Sequence, residues 1–228
     1  MLTVHHLEHS RSQRILWLLE ELGVDYEIKA YKRDPETSLA PPDMRDVHPL
    51  GKAPMISDGD ITIAESGAII EYLMDTYDDG TLRPAAGTPE RRMWTYWLHY
   101  AEGSFMPLMI LSLIIGRIET AKMPFFVKPI ARGIAGKVRQ GYLDQNVKRH
   151  LDWMESTLKE STWFTGENLT AADIQMSFAL EAAEVRTDLN SEYPKLAEFL
   201  ERIRARPAYQ RALEKGGPYK LLGMHKSN

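Results

Sequence analysis

The rhythm of apolar and polar positions changes once along this chain, near residue 80. Before that point two periods alternate. Leu2–Leu7 predicts a short strand, and Arg14–Leu22 carries apolar residues at 15, 16, 18, 19 and 22, a helical stripe closed by Gly23. Tyr26–Tyr31 alternates as a strand does. Residues 33–51 read as loop, broken by Pro35, Pro41, Pro42, Pro49 and Gly51. Pro54–Ser57 and Ile61–Ile63 then flank Asp58-Gly59-Asp60, a hairpin signal. Ser66–Tyr77 follows as a second helix, apolar at 69, 70, 73, 74 and 77. The order strand, helix, strand, loop, strand, strand, helix predicts a small α/β unit with a mixed sheet over residues 1–80.

Residues 81–88 have linker character, and Thr88-Pro89-Glu90 opens a helix with a cap, a first-turn proline and an early acid. Beyond it the pattern predicts helices at 89–117, 138–160, 171–185, 193–205 and 207–215, with no strand, so residues 89–228 read as an all-helical domain. Thr170 and Asp173 form a capping-box variant for the third of these helices, a structural role. Met123–Gly136, with two prolines and two glycines, is the least regular stretch and reads as a cover over something. The most apolar run, Phe105–Ile115, is shorter than the roughly 20 residues a bilayer requires. It reads as a buried helix or a pocket wall.

Composition narrows the function classes. The 228 residues are 43% hydrophobic and 26% charged, with a net charge of −4, and can bury a real core. That balance, with no basic run, predicts neither nucleic acid nor an anionic membrane as partner. The first ten residues have no cationic head followed by a long apolar stretch, so no secretory signal is read and a cytoplasmic protein is expected. There is no cysteine, which removes disulfides, thiolate nucleophiles of the chain's own and cysteine-ligated metals. Any thiol chemistry must use a sulfur that arrives with a substrate. His5, His6 and His9 lack the spacing of zinc ligands, and no metal site is expected.

Three features carry candidate chemistry. Ser10 and Ser12 precede the first helix; each reads either as a helix cap or as a hydroxyl aimed at a substrate. His48-Pro-Leu-Gly-Lys-Ala-Pro54 enters a strand through an Xaa-Pro bond, and a cis bond there would turn the backbone of Ala53 toward a ligand. Ala64-Glu-Ser-Gly-Ala68 stands at a strand-to-helix turn. There Ser66 and free helix N–H groups suit a carboxylate, while Glu65 suits an adjacent ammonium. Two helix N-termini and an open backbone edge would line one groove fit for an acidic peptide.

On SRSQRILWLLEELG (residues 10–23), HPLGKAP (48–54), AESGAIIEYL (64–73) and LTAADIQMSF (169–178), the chain resembles the glutathione transferases over nearly its whole length. It is most similar to the serine-type bacterial and fungal branch. The resemblance implies a thioredoxin-like N-terminal domain, an all-α C-terminal domain and a homodimer. Glutathione is implied as co-substrate, with no tightly bound cofactor. By the same resemblance Ser10 contacts the thiol, with Ser12 as the fallback. Ala53, ahead of Pro54, would pair with the backbone of the glutathione cysteine, Lys52 would face the glycine carboxylate, and Glu65 and Ser66 would hold the γ-glutamyl end. The second substrate is expected to be a small apolar electrophile or an organic hydroperoxide, in a pocket walled by Phe105, Met106 and Met109. Some serine-type members use a histidine for the glycine end; in this chain Lys32 or Arg33 would substitute for it. A non-catalytic binding or scaffold protein on the same fold is the alternative reading.

Overall fold

The structure, a computed structural model, describes residues 1–217 and 219–221. Its first part is a four-stranded mixed sheet in the order β2-β1-β3-β4, built from β1 (Leu2–Leu7), β2 (Tyr26–Tyr31), β3 (Met55–Asp58) and β4 (Ile61–Ala64). β1 pairs in parallel with β2, Leu2 opposite Tyr26, and antiparallel with β3, His5 opposite Met55. The parallel pair needs a crossover, which α1 (Ser12–Leu22) supplies. As a central strand covered on both faces, β1 buries even His5 and His6. His5 satisfies its ring nitrogens on Tyr31 Oη at 3.1 Å and Ser57 Oγ at 2.9 Å.

α1 and α3 (Ser66–Thr76) cover one face of the sheet. The predicted loop 33–51 contains α2 (Met44–Val47), whose Met44 packs with Leu7, Tyr31 and Met55 on the other face. One turn is too short for periodicity to reveal. α1 begins two residues before its apolar stripe and ends as predicted at Gly23, whose φ of 65° is left-handed.

The helical part follows. α4 (Pro89–Tyr100) is capped by Thr88, whose side chain accepts the Arg91 N–H at 3.1 Å. It runs through a π turn at Ala101–Phe105 into α5 (Met106–Thr120). Pro107 has no N–H to offer the Gly103 carbonyl, and the wider turn absorbs that loss. The result is one helix of 32 residues, longer than the predicted 89–117 and apolar enough to cross a membrane. Within its most apolar stretch 44% of the residues are buried inside the fold.

α6 (Lys128–Val138) begins inside the stretch read as irregular, passes its end by two residues, and continues through a second π turn (Arg139–Leu143) into α7 (Asp144–Glu160). Glycines 133 and 136 sit within that helix without breaking it. α8 (Ala171–Glu184) is the spine of the domain, nearly all buried. The Thr170 side chain and the Asp173 carboxylate satisfy its first turn, the carboxylate also accepting the Thr170 and Phe164 N–H groups at 2.9 and 2.8 Å. α9 (Leu189–Glu192), α10 (Pro194–Arg204) and α11 (Pro207–Gly216) complete the layer.

α11 returns to pack on α1. Glu20 accepts from Arg211 at 2.7 Å and from Lys215, and Glu21 pairs with Arg206. The approach is close: a Cβ on Gly216 would stand 2.7 Å from Leu16 and 2.8 Å from the Gln13 side chain. A single hydrophobic cluster runs from the sheet through α1 into α4, α5, α7, α8 and α10. The two parts therefore share a core.

Candidate active site: a groove between the sheet and the long helix

The N-terminus of α1 is held by a chain of short polar contacts. Ser10 Oγ lies 2.8 Å from Ser12 Oγ and accepts the Ser12 N–H at 3.3 Å. Ser12 Oγ lies 2.8 Å from His6 Nδ1 and 3.3 Å from the Leu7 carbonyl. Ser12 is fully buried, so its hydroxyl serves Ser10 and His6 and does not face a groove. Neither Ser10 nor Ser12 is among the residues that line the neighbouring groove at Arg11. Burial, the largest effect, lowers the His6 pKa, while a hydrogen bond to the Gly216 carbonyl opposes it. The imidazole is therefore neutral near pH 7 and its Nδ1 can accept from Ser12. Ser10 is 5% exposed. It sits between His9, at a φ of 53°, and Arg11.

A groove of about 240 Å³ opens beside Arg11. Lys52, Ala53, Pro54, Glu65 and Ser66 all line it, together with His48, Leu50, Ala64, Glu102 and Ile110. The Ala53–Pro54 bond is cis, and Ala53 stands just outside the ladder that β3 begins at Met55. Glu65 occupies a φ of 72°, rare for a side chain larger than glycine, immediately before α3. Such backbone costs about 1–3 kcal/mol and persists where its surroundings demand it. Local motifs thus pointed to five of the groove's residues.

They did not assign a role to Arg11, His48 or Glu102, which also line the groove. Glu102 comes from the first π turn, 36 residues beyond Ser66 (102 − 66), and no local pattern announces it. Arg11 pairs with Glu102 at 3.1 Å, and fully buried Arg14 pairs with the same carboxylate. Arg14 also donates to Ser66 Oγ at 2.8 Å and to the Gln175 carbonyl at 2.6 Å. One guanidinium thereby ties α1, α3, the π turn and α8 together. Burial alone would raise the Glu102 carboxyl, but Arg14 and Arg11 outweigh it and hold it below the ordinary range. His48 opens the HPLGKAP stretch and lines the groove beside Lys52. Lys32 does not line this groove, and Arg33 lines a different cavity.

That different cavity, about 250 Å³, adjoins the groove, with Arg11 and Ile110 in both walls. Its apolar lining is Leu39, Met106, Ile110, Leu113, Phe178 and Leu221. Of the residues expected to wall the second pocket, Met106 does so; Phe105 and Met109 are fully buried in the core instead. The reason is helical phase. Positions 106, 110, 113 and 117 share one face of α5, whereas 105, 109 and 112 turn inward. The segment 123–136 lines neither cavity, and its Phe125, Phe126, Ile130 and Ile134 are exposed, so it is no lid over them. Among the described residues no group of three His, Asp or Glu could hold a metal.

A four-stranded mixed sheet with a charged groove at the N-terminal ends of α1 and α3, walled on one side by a helical domain, defines the architectural class of this protein. Comparison with known proteins makes the class specific. The family described as "Glutathione S-transferase, N-terminal domain" matches residues 1–75, and "Glutathione S-transferase, C-terminal domain" matches residues 124–216. "Glutathione S-transferase 1" of Saccharomyces cerevisiae is 33% identical over 223 residues, covering 94% of this chain and 95% of the relative. A glutathione S-transferase structure from Actinobacillus pleuropneumoniae is 34% identical with a TM-score of 0.79, covering 99% of this chain and 95% of that one. A sphingomonad glutathione S-transferase, solved in complex with glutathione, is 25% identical with a TM-score of 0.71, covering 94% and 98%. The chain belongs to the glutathione S-transferase family of enzymes.

Proposed function

We propose that this protein is a serine-type glutathione transferase, in which Ser10 stabilises the thiolate of glutathione for attack on a small electrophile. The observation that carries it is the groove, whose lining brings together His48, Lys52, Glu65 and Ser66, groups that complement the tripeptide's own charges. Lys52 and His48 receive the glycine carboxylate. Ala53 pairs with the cysteine backbone, beside Pro54. Glu65 takes the γ-glutamyl ammonium, while Ser66 and the N-terminus of α3 take its carboxylate. The reading includes a cytoplasmic location and a homodimer, both resting on the sequence and the family resemblance; sedimentation velocity tests the second.

An aliphatic hydroxyl is not ionised at neutral pH, so Ser10 acts as a donor and not as a base. Lowering a thiol from about 8.5 to about 6.5 requires roughly 2.7 kcal/mol of preference for the anion. A hydrogen bond to a charged acceptor contributes about 1.5–3 kcal/mol and a helix N-terminus about 0.3–1 kcal/mol. Those two contributions suffice. With an aryl halide, the thiolate forms a C–S bond at the ring carbon, the C–halogen bond breaks and halide leaves with its electron pair. The thiol proton passes to solvent. With an organic hydroperoxide, thiolate attack on the O–O bond yields an alcohol and a sulfenic acid, which a second glutathione converts to disulfide and water.

The test combines retention on immobilised glutathione, turnover of a chromogenic aryl halide, and titration of the bound thiolate by its ultraviolet absorbance. Ser10→Ala is expected to keep binding and raise the thiol pKa by about 1–2 units. An unmoved titration would leave Ser10 as a helix cap. The near-complete burial of Ser10 and its contact with Ser12 favour one rival, a binding protein without catalysis. Retention on glutathione with no turnover across an electrophile and hydroperoxide panel would establish that rival.

A further inference from the structure

The second cavity is more than an apolar slot. Four arginines, Arg11, Arg33, Arg117 and Arg186, line it, and no Asp or Glu stands among its described lining residues. They come from four places in the chain: the mouth of α1, the loop after β2, the last turn of α5 and the turn after α8. Three of them have a fixed placement. Arg33 donates to the carbonyls of Glu8, His9 and Ser38 at 3.1, 3.3 and 2.9 Å. Arg186 donates to the Met109 carbonyl at 3.1 Å. The Arg11 guanidinium carbon stands 5.5 Å from the Phe178 ring centroid, a cation–π distance.

Carboxylates act on Arg11 and Arg33. Glu102 is shared between Arg11 and Arg14, and Glu8 acts on Arg33 from outside the cavity. Burial lowers Arg33 most, the Glu8 carboxylate opposes it, and the charges of Arg11 and Arg117 add smaller lowering effects; burial and then Arg11 and Arg117 lower Arg186 to about 10. Like charges gathered around a half-buried apolar cavity are stabilised by an anion that enters it.

We infer that the electrophile of this enzyme carries an anionic group, a carboxylate on an apolar body, with Met106, Ile110, Leu113 and Phe178 holding the body and Arg33 and Arg117 holding the charge. This rests on the proposed transferase reading, because the cavity adjoins the groove assigned to glutathione. It alters the expectation of a purely apolar second substrate. Arg117 selects the substrate. It is exposed and on the cavity face of α5, so it can be changed without disturbing the core.

Two measurements test the inference. The first compares 4-chloro-3,5-dinitrobenzoate with neutral 1-chloro-2,4-dinitrobenzene, each normalised to its uncatalysed reaction with glutathione. The wild type should favour the benzoate. Arg117→Met should lower kcat/KM for the benzoate about 5- to 20-fold and leave the neutral substrate within about twofold. Arg117→Lys should restore most of the loss, and added salt should weaken only the benzoate reaction. The second needs no glutathione chemistry: the fluorescent anion 8-anilinonaphthalene-1-sulfonate should bind the wild type and bind Arg117→Met and Arg33→Met more weakly, while neutral N-phenyl-1-naphthylamine binds all three alike.

Absence of turnover with intact anion-selective dye binding would defeat the transferase reading and leave the anion cavity standing. Equal losses on both substrates and both dyes would overturn the anion cavity alone. Calorimetric titration with glutathione separates the remaining source of a carboxylate. One equivalent per chain, with the dye retained, supports the electrophile. A second equivalent that expels the dye assigns the cavity to glutathione itself and overturns the inference.

Discussion

Ser12 shows how much one side chain's meaning depends on its neighbours. In sequence it is interchangeable with Ser10, two positions away. In the fold it is the buried middle of a Ser10–Ser12–His6 chain with both links at 2.8 Å. Ser12→Ala leaves the His6 Nδ1 without its donor and frees Ser10 to rotate. The expected cost is about 1–3 kcal/mol of stability, read from the urea midpoint. The bound thiol pKa should stay below that of Ser10→Ala, since the Ser10 donor is released from Ser12 and not lost. A rise equal to that of Ser10→Ala would make Ser12 the thiol's own partner. His48 was written in the HPLGKAP motif, yet its place in the groove was not legible. A histidine beside a proline looks alike in any loop, and only the turn of residues 48–54 beside β3 brings it to Lys52.

Among elements, α8 was the most legible, because its capping box and apolar run are both local. Burial pushes the Asp173 carboxyl up to about 6, against hydrogen bonds from the Phe164 and Thr170 N–H groups and the Thr170 hydroxyl that favour the anion. The folded value lies above the ordinary value of 3.8, so the unfolded chain gives up this proton first. The stability that this group contributes is complete below about pH 4 and is lost as pH rises through about 6. Denaturant midpoints of wild type and Asp173→Asn across that interval check it: the difference between them should change with pH, because only the wild type carries this proton. A constant difference would mean that the carboxyl titrates at its ordinary value. α4 and α5 were only half legible. Their periodicity announces a helix, but the π turn adds a residue and shifts the phase, so Met106 faces the cavity while Phe105 and Met109 go to the core. An inserted residue leaves no trace in the order of apolar positions when the run is apolar all round.

At the scale of the whole molecule the groove belongs to both parts: Lys52, Ala53, Glu65 and Ser66 from the sheet side, Glu102 and Ile110 from the long helix. Arg14, Glu20 and Glu21 fasten α1 to α8 and α11 across the same boundary. A ligand in the groove therefore stabilises the chain as one unit. Glutathione at a hundred times its Kd should add about 2.7 kcal/mol, seen by calorimetry as a single transition moved upward. Two transitions, with only the earlier one moving, would show that the halves unfold separately.

Local pattern by itself determined the elements. Alternation set the strands, a 3.6-residue stripe set the helices, and proline, glycine and capping residues set the boundaries, because each acts within a few positions of chain. It also singled out Ala53, Pro54, Glu65 and Ser66 as candidates for one groove, since each sits at an element's end in a motif, and the family resemblance added Lys52. Only tertiary structure decided that Ser12 joins Ser10 to His6, which face of α5 meets the cavity, that Glu102 joins the groove, and that Arg11, Arg33, Arg117 and Arg186 line one cavity. Charges separated by tens to more than a hundred residues act on one another only after packing has brought them together and removed the water between them.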